Sequence, residues 1–395
     1  MRPLTGIRVL DLSRVLAGPF ATMTLADLGA EVIKVEAPDR GDETRAWGPP
    51  FLEGESTYYL SINRSKLGIT LDFKKPQEKN LLFRLLERSD IFIENFRAGV
   101  LDRQGLGYEA LAKIHPRLIY CSVSGYGHTG PRSAEPGFDV IIQGESGVMS
   151  VTGDSLGPPY KVGVSIADIT TGMYAVQGIL AALYQREHTG KGQKVDVALL
   201  DSMVSTLTYQ AGIYFGTGGT PQRMGNRHPS IVPYETFEAS DRFFNIGVTN
   251  ESLWHRFCEA LELEGLESHP LYASVALRVK NYDTLQPKLA ALFKDQPAAH
   301  WLERLHKAGV PCGEVRTVAQ ALEEPQLRAR EMILELNHPK SGRIRVTGSP
   351  IKMSAAGSLS ATPPPMHGQH NREVYCGLLG LSVEEVQALK REKVI

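Results

Sequence analysis

The 395 residues include only four cysteines, Cys121, Cys258, Cys312 and Cys376, with no CxxC pair and no Cys/His ligand spacing. A disulfide-stapled scaffold is thereby excluded, no metal site is expected, and the cysteines read as reduced thiols. Net charge is also scarce. Forty-three basic against 44 acidic residues leave a formal charge of −1, which removes the global attraction that a nucleic-acid binder uses and leaves any anionic ligand to be held locally. No uninterrupted apolar run approaches the ~20 residues that cross a bilayer, and Met1-Arg2-Pro3-Leu4-Thr5 lacks the apolar core of a signal peptide. A cytoplasmic chain with no membrane partner is expected. Also missing is GxGxxG: the turn Arg14-Val15-Leu16-Ala17-Gly18-Pro19 follows the first aliphatic run without that fingerprint, so a nicotinamide dinucleotide is not favoured.

What is present is a chain long enough for two cores, since a single core stops growing near ~250–300 residues. Ile7–Leu12, a helical stretch from about Phe20 to Leu28, and Glu31–Val35 form a βαβ pattern. It continues through Ile69–Leu71, a helix near Gln77–Glu87, Ile91–Ile93, a helix near Tyr108–Ile114, and Leu118–Val123. Such alternation predicts a mostly parallel sheet covered by helices. Ligands of these sheets bind beyond the strand C-termini, so the loops Ser13–Pro19, Glu94–Ala98 and Ser124–Gly130 should share one crevice. A helix over 167–185 and a strand over Lys194–Ala198 follow, and the Gly/Thr-rich stretch Gly212–Gly225 then reads as a linker. The expected division is 1–210 for the large domain, 211–228 for the linker, 229–325 for a smaller α+β domain, and 326–395 for a return to the large domain. Near the end, Ser382-Val383-Glu384-Glu385 matches a capping box.

Three segments carry candidate chemistry, each with an ordinary structural reading beside it. The turn at Arg14–Pro19 can bind a phosphate or ring through backbone groups at a helix start, or be a plain βα turn. Glu94-Asn95-Phe96-Arg97-Ala98-Gly99-Val100 offers an amide, an aromatic face and a cation, with Arg103 close behind; this suits an adenine nucleotide, or is a polar loop with one packed ring. Asp168 opens an otherwise small and apolar helix, where it is either an N-cap or a carboxylate set apart for reaction.

Taken together, the segments resemble the family III coenzyme A transferases, the group containing formyl-CoA transferase and carnitine-CoA transferase. The likeness rests on Leu10-Asp11-Leu12, Arg14–Pro19, Leu28–Glu36, Glu94–Arg97, Ser124–Gly127 and Asp168 with its flanks. Downstream it continues through Gly190–Gln193, His228–Tyr234 and Gly309–Gly313. It implies a Rossmann-like large domain with a parallel sheet, a smaller α+β domain, and an interlocked homodimer. It also implies acyl-CoA and a free carboxylic acid as the partners, with Asp168 as nucleophile and no cofactor, because the CoA thioester is itself a substrate. CoA contacts are implied at Leu16, Ala17, Leu71, Lys74, Asn95, Phe96, Arg97 and Arg103. The sequence departs from the family at Ala37, where an Arg often follows the glutamate and where Arg40 stands displaced by three residues, which leaves the adenine or 3′-phosphate contact open. Gly48–Phe51, Ser56–Arg64 and Ser230–Tyr234 resemble the branch acting on succinate and glutarate. A second substrate carboxylate needs a cation, for which Arg45, Arg64 and Arg227 are candidates, with His228 near a possible lid.

Two other functions compete. An α-methylacyl-CoA racemase would abstract and return a proton, but the Gly-His-Asp of those enzymes reads Gly137-Phe138-Asp139 here, and phenylalanine carries no proton. A non-catalytic acyl-CoA-binding protein would keep the fold, show CoA affinity without exchange, and be indifferent to loss of Asp168.

Overall fold

A computed structural model describes residues 2–74, 78–357 and 360–395. The chain divides into two compact units, one of Met1–Val148, Lys161–Ala211 and Pro325–Ile395, the other of Met149–Tyr160 and Gly212–Glu324.

In the first unit six strands form one sheet: β1 (Arg8–Asp11), β2 (Glu31–Glu36), β3 (Lys66–Thr70), β4 (Ile91–Glu94), β5 (Ile119–Ser124) and β6 (Lys194–Ala198). Their order is β3-β2-β1-β4-β5-β6 and every pairing is parallel. This is the doubly wound, Rossmann-like order, with its switch point between β1 and β4. The inner strands β1, β2, β4 and β5 are buried along most of their length because both sheet faces are covered there. Side-chain alternation sends Val9, Val32, Ile91, Ile93 and Cys121 to one core, and Leu10, Ile33, Ile69, Phe92 and Tyr120 to the other.

Helix α1 (Ala17–Asp27) covers the first face; α2 (Lys79–Leu86) belongs to the second, and α3 (Tyr108–Ile114) follows β4. Gln77, the expected start of α2, lies outside the described residues. The next helices are α4 (Asp139–Glu145), α5 (Ile166–Thr189), α6 (Leu199–Ser205) and α7 (Thr208–Thr217). By length and composition α5 is apolar enough to cross a membrane, but Ala167, Ala175, Ile179 and Ala182 are buried in the first core.

The second unit has an antiparallel sheet of β7 (Tyr234–Glu238), β8 (Phe243–Gly247) and β9 (Cys312–Glu314), with β8 central. Helices α8 (Glu251–Ala260), α9 (Tyr282–Lys294) and α10 (Ala298–Lys307) close its core around Trp254, Phe257, Phe293 and Trp301. The sequence reading needs two corrections here. The supposed linker 211–228 begins inside α7. In addition, Met149–Tyr160, read as part of the large domain, joins the second unit: Gly225 N–H donates to the Gly153 carbonyl at 3.0 Å, and the Arg223 guanidinium to the carbonyls of Asp154 and Gly157 at 3.2 and 2.9 Å.

The return to the first unit forms a hairpin, β10 (Ile333–His338) and β11 (Gly342–Thr347), and ends in α11 (Val383–Arg391), opened by the Ser382/Glu385 capping box. Val386, Val394 and Ile395 are buried in the second core of the large sheet.

Candidate active site

The loop after β1 is held from several sides. Asp11, fully buried, accepts from Ser13 N–H at 2.9 Å, Ser13 Oγ at 2.5 Å and Thr22 Oγ1 at 2.6 Å. Lys34 Nζ donates to the Ser13 carbonyl at 3.0 Å and to Asp42 Oδ2 at 2.8 Å, while Asp42 Oδ1 accepts from Val15 N–H at 3.3 Å. The Asn95 amide accepts from Arg14 N–H at 2.9 Å and donates to the Arg14 carbonyl at 2.7 Å. These restraints hold Val15 at φ +67°, a left-handed conformation that costs a β-branched residue of order 1–3 kcal/mol and persists only where its surroundings fix it.

That loop, Arg14–Ala17, lines a cavity of about 240 Å³ together with Asn95–Ala98 from the end of β4 and Val123–Gly125 from the end of β5. The three expected loops therefore meet at the switch point. Ser133, the stretch Glu135–Phe138, Asp168 and Leu199 complete the lining. Gly125 and Gly137 pass so closely that a Cβ on either would stand 2.7 or 2.6 Å from the other's backbone.

Asp168 lies in the first turn of α5, not at its N-cap, which is Ser165. Gly172, one turn along, lets the helix touch α1: a Cβ there would stand 2.8 Å from the Ala17 carbonyl oxygen. The capping role falls to Asp139, whose Oδ1 accepts from Ala167 N–H at 2.9 Å. Gln143, fully buried, donates to Asp139 Oδ2 at 2.7 Å and accepts from Val162 N–H at 2.8 Å. Sequence reasoning missed Gln143, whose role needs the fold of 139–167, and it gave Asp139 no positioning task. Among the described residues no hydrogen bond or cation reaches the Asp168 carboxylate. Burial, and then the neighbouring Asp139 charge, push it up to about 7. Tyr58 is raised to about 12 by burial and then by the Asp168 charge, which places its ring in the field of that carboxylate.

A second cavity, of about 610 Å³, continues from the first through shared Arg14 and Phe96 and is lined by Leu71, Lys74, the stretch Glu36–Asp42, Lys390 and Lys393. Thus Leu16, Ala17, Asn95 and Arg97 line the smaller space, Leu71 and Lys74 the larger, and Phe96 both. Arg14 lies over the Phe96 ring at 5.1 Å, and Phe73 meets that ring edge-on at 6.4 Å. Arg103 is exposed and lines neither. The Asn95 amide is committed to the Arg14 backbone, so its side chain shapes the loop.

Two of the four substrate candidates are corrected by their partners. Arg45 makes a bidentate pair with Glu36 at 2.7 and 2.7 Å and lies 3.7 Å over the Tyr59 ring. Arg64 is 2% exposed and paired with Asp27. Neither guanidinium is open to a substrate. Arg227 and His228 belong to the second unit; Arg227 stacks 3.5 Å over Tyr282, and His228 Nδ1 accepts from Ser230 N–H at 3.1 Å.

Sheet order and crevice are those of an α/β enzyme that receives a ligand at the switch point. Residues 4–371 match the model of CoA-transferase family III. The chain is 43% identical over 374 residues to the succinyl-CoA:glutarate CoA-transferase of Mus musculus, covering 95% of this chain and 86% of that one. To the succinate–glutarate CoA-transferase of Agrobacterium fabrum it is 40% identical over 382 residues, covering 95% and 96%. A solved CaiB/BaiF family protein of Brucella suis superposes with a TM-score of 0.85 at 41% identity, over 95% of this chain and 99% of that one. The protein belongs to CoA-transferase family III and is an enzyme of the CoA-transferase type.

Proposed function

We propose that the protein moves CoA from succinyl-CoA to a dicarboxylate such as glutarate through covalent intermediates on Asp168. The observation carrying this reading is the Asp168 carboxylate itself: half-buried, without hydrogen bond or cation among the described residues, and aimed into the crevice where three sheet loops converge. A carboxylate raised to about 7 is more basic, hence more nucleophilic, than an ordinary aspartate, and about half of it is ionised at neutral pH. The choice of acids is supported by the names of the relatives from mouse and Agrobacterium fabrum.

Asp168 attacks the thioester carbonyl, the C–S bond breaks, and CoA thiolate leaves a succinyl–aspartyl anhydride. The thiolate attacks the aspartyl carbonyl, succinate departs as a carboxylate, and an aspartyl-CoA thioester remains. Glutarate then repeats the exchange and restores the Asp168 carboxylate. No proton is gained or lost, so no general acid is required, but water must be kept from the anhydride. Phe138 beside the same crevice carries no proton, which favours acyl exchange over racemisation. The working unit is proposed to be a homodimer; exposed Met173, Tyr174 and Tyr184 on α5 support a partner surface there, and sedimentation would test it.

The test incubates the protein with succinyl-CoA and a panel of acids (glutarate, malate, itaconate, oxalate, formate), reading acyl-CoA products by mass spectrometry beside Asp168→Ala. Glutaryl-CoA that is absent with the variant is the expected result. No new acyl-CoA from any acid, with epimerised 2-methylacyl-CoA in a parallel sample, would overturn it.

A further inference from the structure

The larger cavity has one wall from a segment whose only sequence motif was a helix-capping box. Lys390, in the last turn of α11, and Lys393, just beyond it, line that cavity with Arg40 and Lys74. The lysines are exposed, and the backbone carrying them is anchored without them. Asp72 N–H donates to the Val394 carbonyl at 2.8 Å, the Tyr375 hydroxyl donates to the Thr70 carbonyl at 2.7 Å, and Val386, Val394 and Ile395 are buried. This fixes where the ammonium groups emerge while leaving them free to reorient.

The charge count of the wall points to an anion. Of its cations, Lys34 is paired with Asp42 and Arg14 with Glu43, and the Glu36 carboxylate is taken by Arg45. Among the described side chains, Arg40, Lys74, Lys390 and Lys393 then face only Asp39 and Asp72, a surplus of two positive side-chain charges on a 610 Å³ space. A CoA thioester that reaches Asp168 with its reacting end has its nucleotide end left for this cavity, and its ribose carries a 3′-phosphate dianion. Ala37, in the same wall, is neutral.

Resting on the transferase reading, we propose that Lys390 and Lys393 bind the 3′-phosphate of CoA, so that the C-terminal helix selects CoA over 3′-dephospho-CoA. An ammonium–phosphate pair on an exposed wall contributes modestly, so two together are expected to give a preference of roughly tenfold that weakens with added salt.

The experiment titrates CoA and 3′-dephospho-CoA into the full chain and into a Lys390→Met/Lys393→Met variant by calorimetry. Both substitutions keep the side-chain stem, and both sites are exposed, so a Lys390→Arg/Lys393→Arg variant serves as the check that the helix still docks, retaining the preference. The unaltered protein should favour CoA by roughly tenfold, and the Met variant should bind the two ligands alike with unchanged affinity for 3′-dephospho-CoA. Full preference for CoA in the Met variant would overturn the assignment. Because the readout is binding, a protein showing this coupling but exchanging no acids would defeat the substrate reading and leave this one standing.

Discussion

Two sets of carboxylates sit at the C-terminal end of the large sheet, and they differ in what faces them. Asp11, Glu36 and Asp42 are buried, each beside a cation: Asp11 has Lys66, Glu36 has Arg45, and Asp42 has Lys34. Burial alone pushes Asp42 up, but Lys34 and the Thr44 hydrogen bonds outweigh it and hold the carboxyl at about 2. Among the described residues Asp168 and Asp139 have no such cation, and Asp168 rises to about 7. The same chemical group is thus a strut in one place and a candidate reactant a few residues of loop away. Glu94 marks the limit of this contrast: burial raises it to about 7 too, but its oxygens accept from Ser122 Oγ at 2.5 Å and Phe96 N–H at 2.8 Å. A raised carboxyl that is already bonded holds a loop; Asp168 has nothing of the kind to hold.

The contrast can be broken at either set. Asp168→Ala removes the proposed nucleophile and should lower transfer by roughly a thousandfold or more with little change in fold; initial rates and a melting curve measure both. Lys34→Met leaves Asp42 and the Ser13 carbonyl without their buried donor and should cost about 3–5 kcal/mol in a urea titration. A Lys34→Met/Asp42→Leu pair should recover part of that loss, because the stranded charge is removed. The Asp42 contribution also has a sign in pH. Its folded value lies below the ordinary 3.8, so the stability is present above about pH 4 and is lost as pH falls toward about 2.

Smaller effects sharpen the comparison. Gly172→Ala places a methyl against the Ala17 carbonyl and the Phe20 ring, 2.8 and 2.9 Å away, and should cost about 1–3 kcal/mol while displacing Asp168 from the crevice loops. Asp139→Asn keeps an acceptor for Ala167 N–H and removes the charge that, after burial, raises Asp168. The carboxylate is the reactive form, so transfer by the unaltered enzyme should decline as pH drops through about 7; in the Asp139→Asn variant that decline should move to lower pH. An unmoved profile would show that Asp139 acts on α5 only as a cap.

Periodicity made most of the sheet and the second-unit helices readable from sequence, and the errors have physical causes. The first helix starts at Ala17 and not Phe20 because Gly18-Pro19 sits in its first turn, where proline's missing N–H costs nothing. Strand β3 begins earlier than Ile69, at Lys66, because a buried lysine paired with Asp11 occupies a place where the pattern calls for an apolar residue. At the site, the three loops could be found because they lie at strand ends, whereas Asp168 stood out only as a carboxylate at a helix start and its role as nucleophile came from the family resemblance. The errors over Arg45 and Arg64 arose because their partners, Glu36 and Asp27, face them only in the fold. Lys390 and Lys393 were invisible for the same reason: they meet Lys74 around one cavity only when the end of the chain docks beside β3.

The most direct test of the central claim is to find the covalent bond. The protein is incubated with succinyl-CoA without acceptor, quenched with hydroxylamine, digested with trypsin and sequenced by mass spectrometry. A hydroxamate confined to Asp168, in the peptide Val162–Arg186, is the predicted result; active exchange with no adduct on that peptide, or with an adduct on another carboxylate, would contradict it.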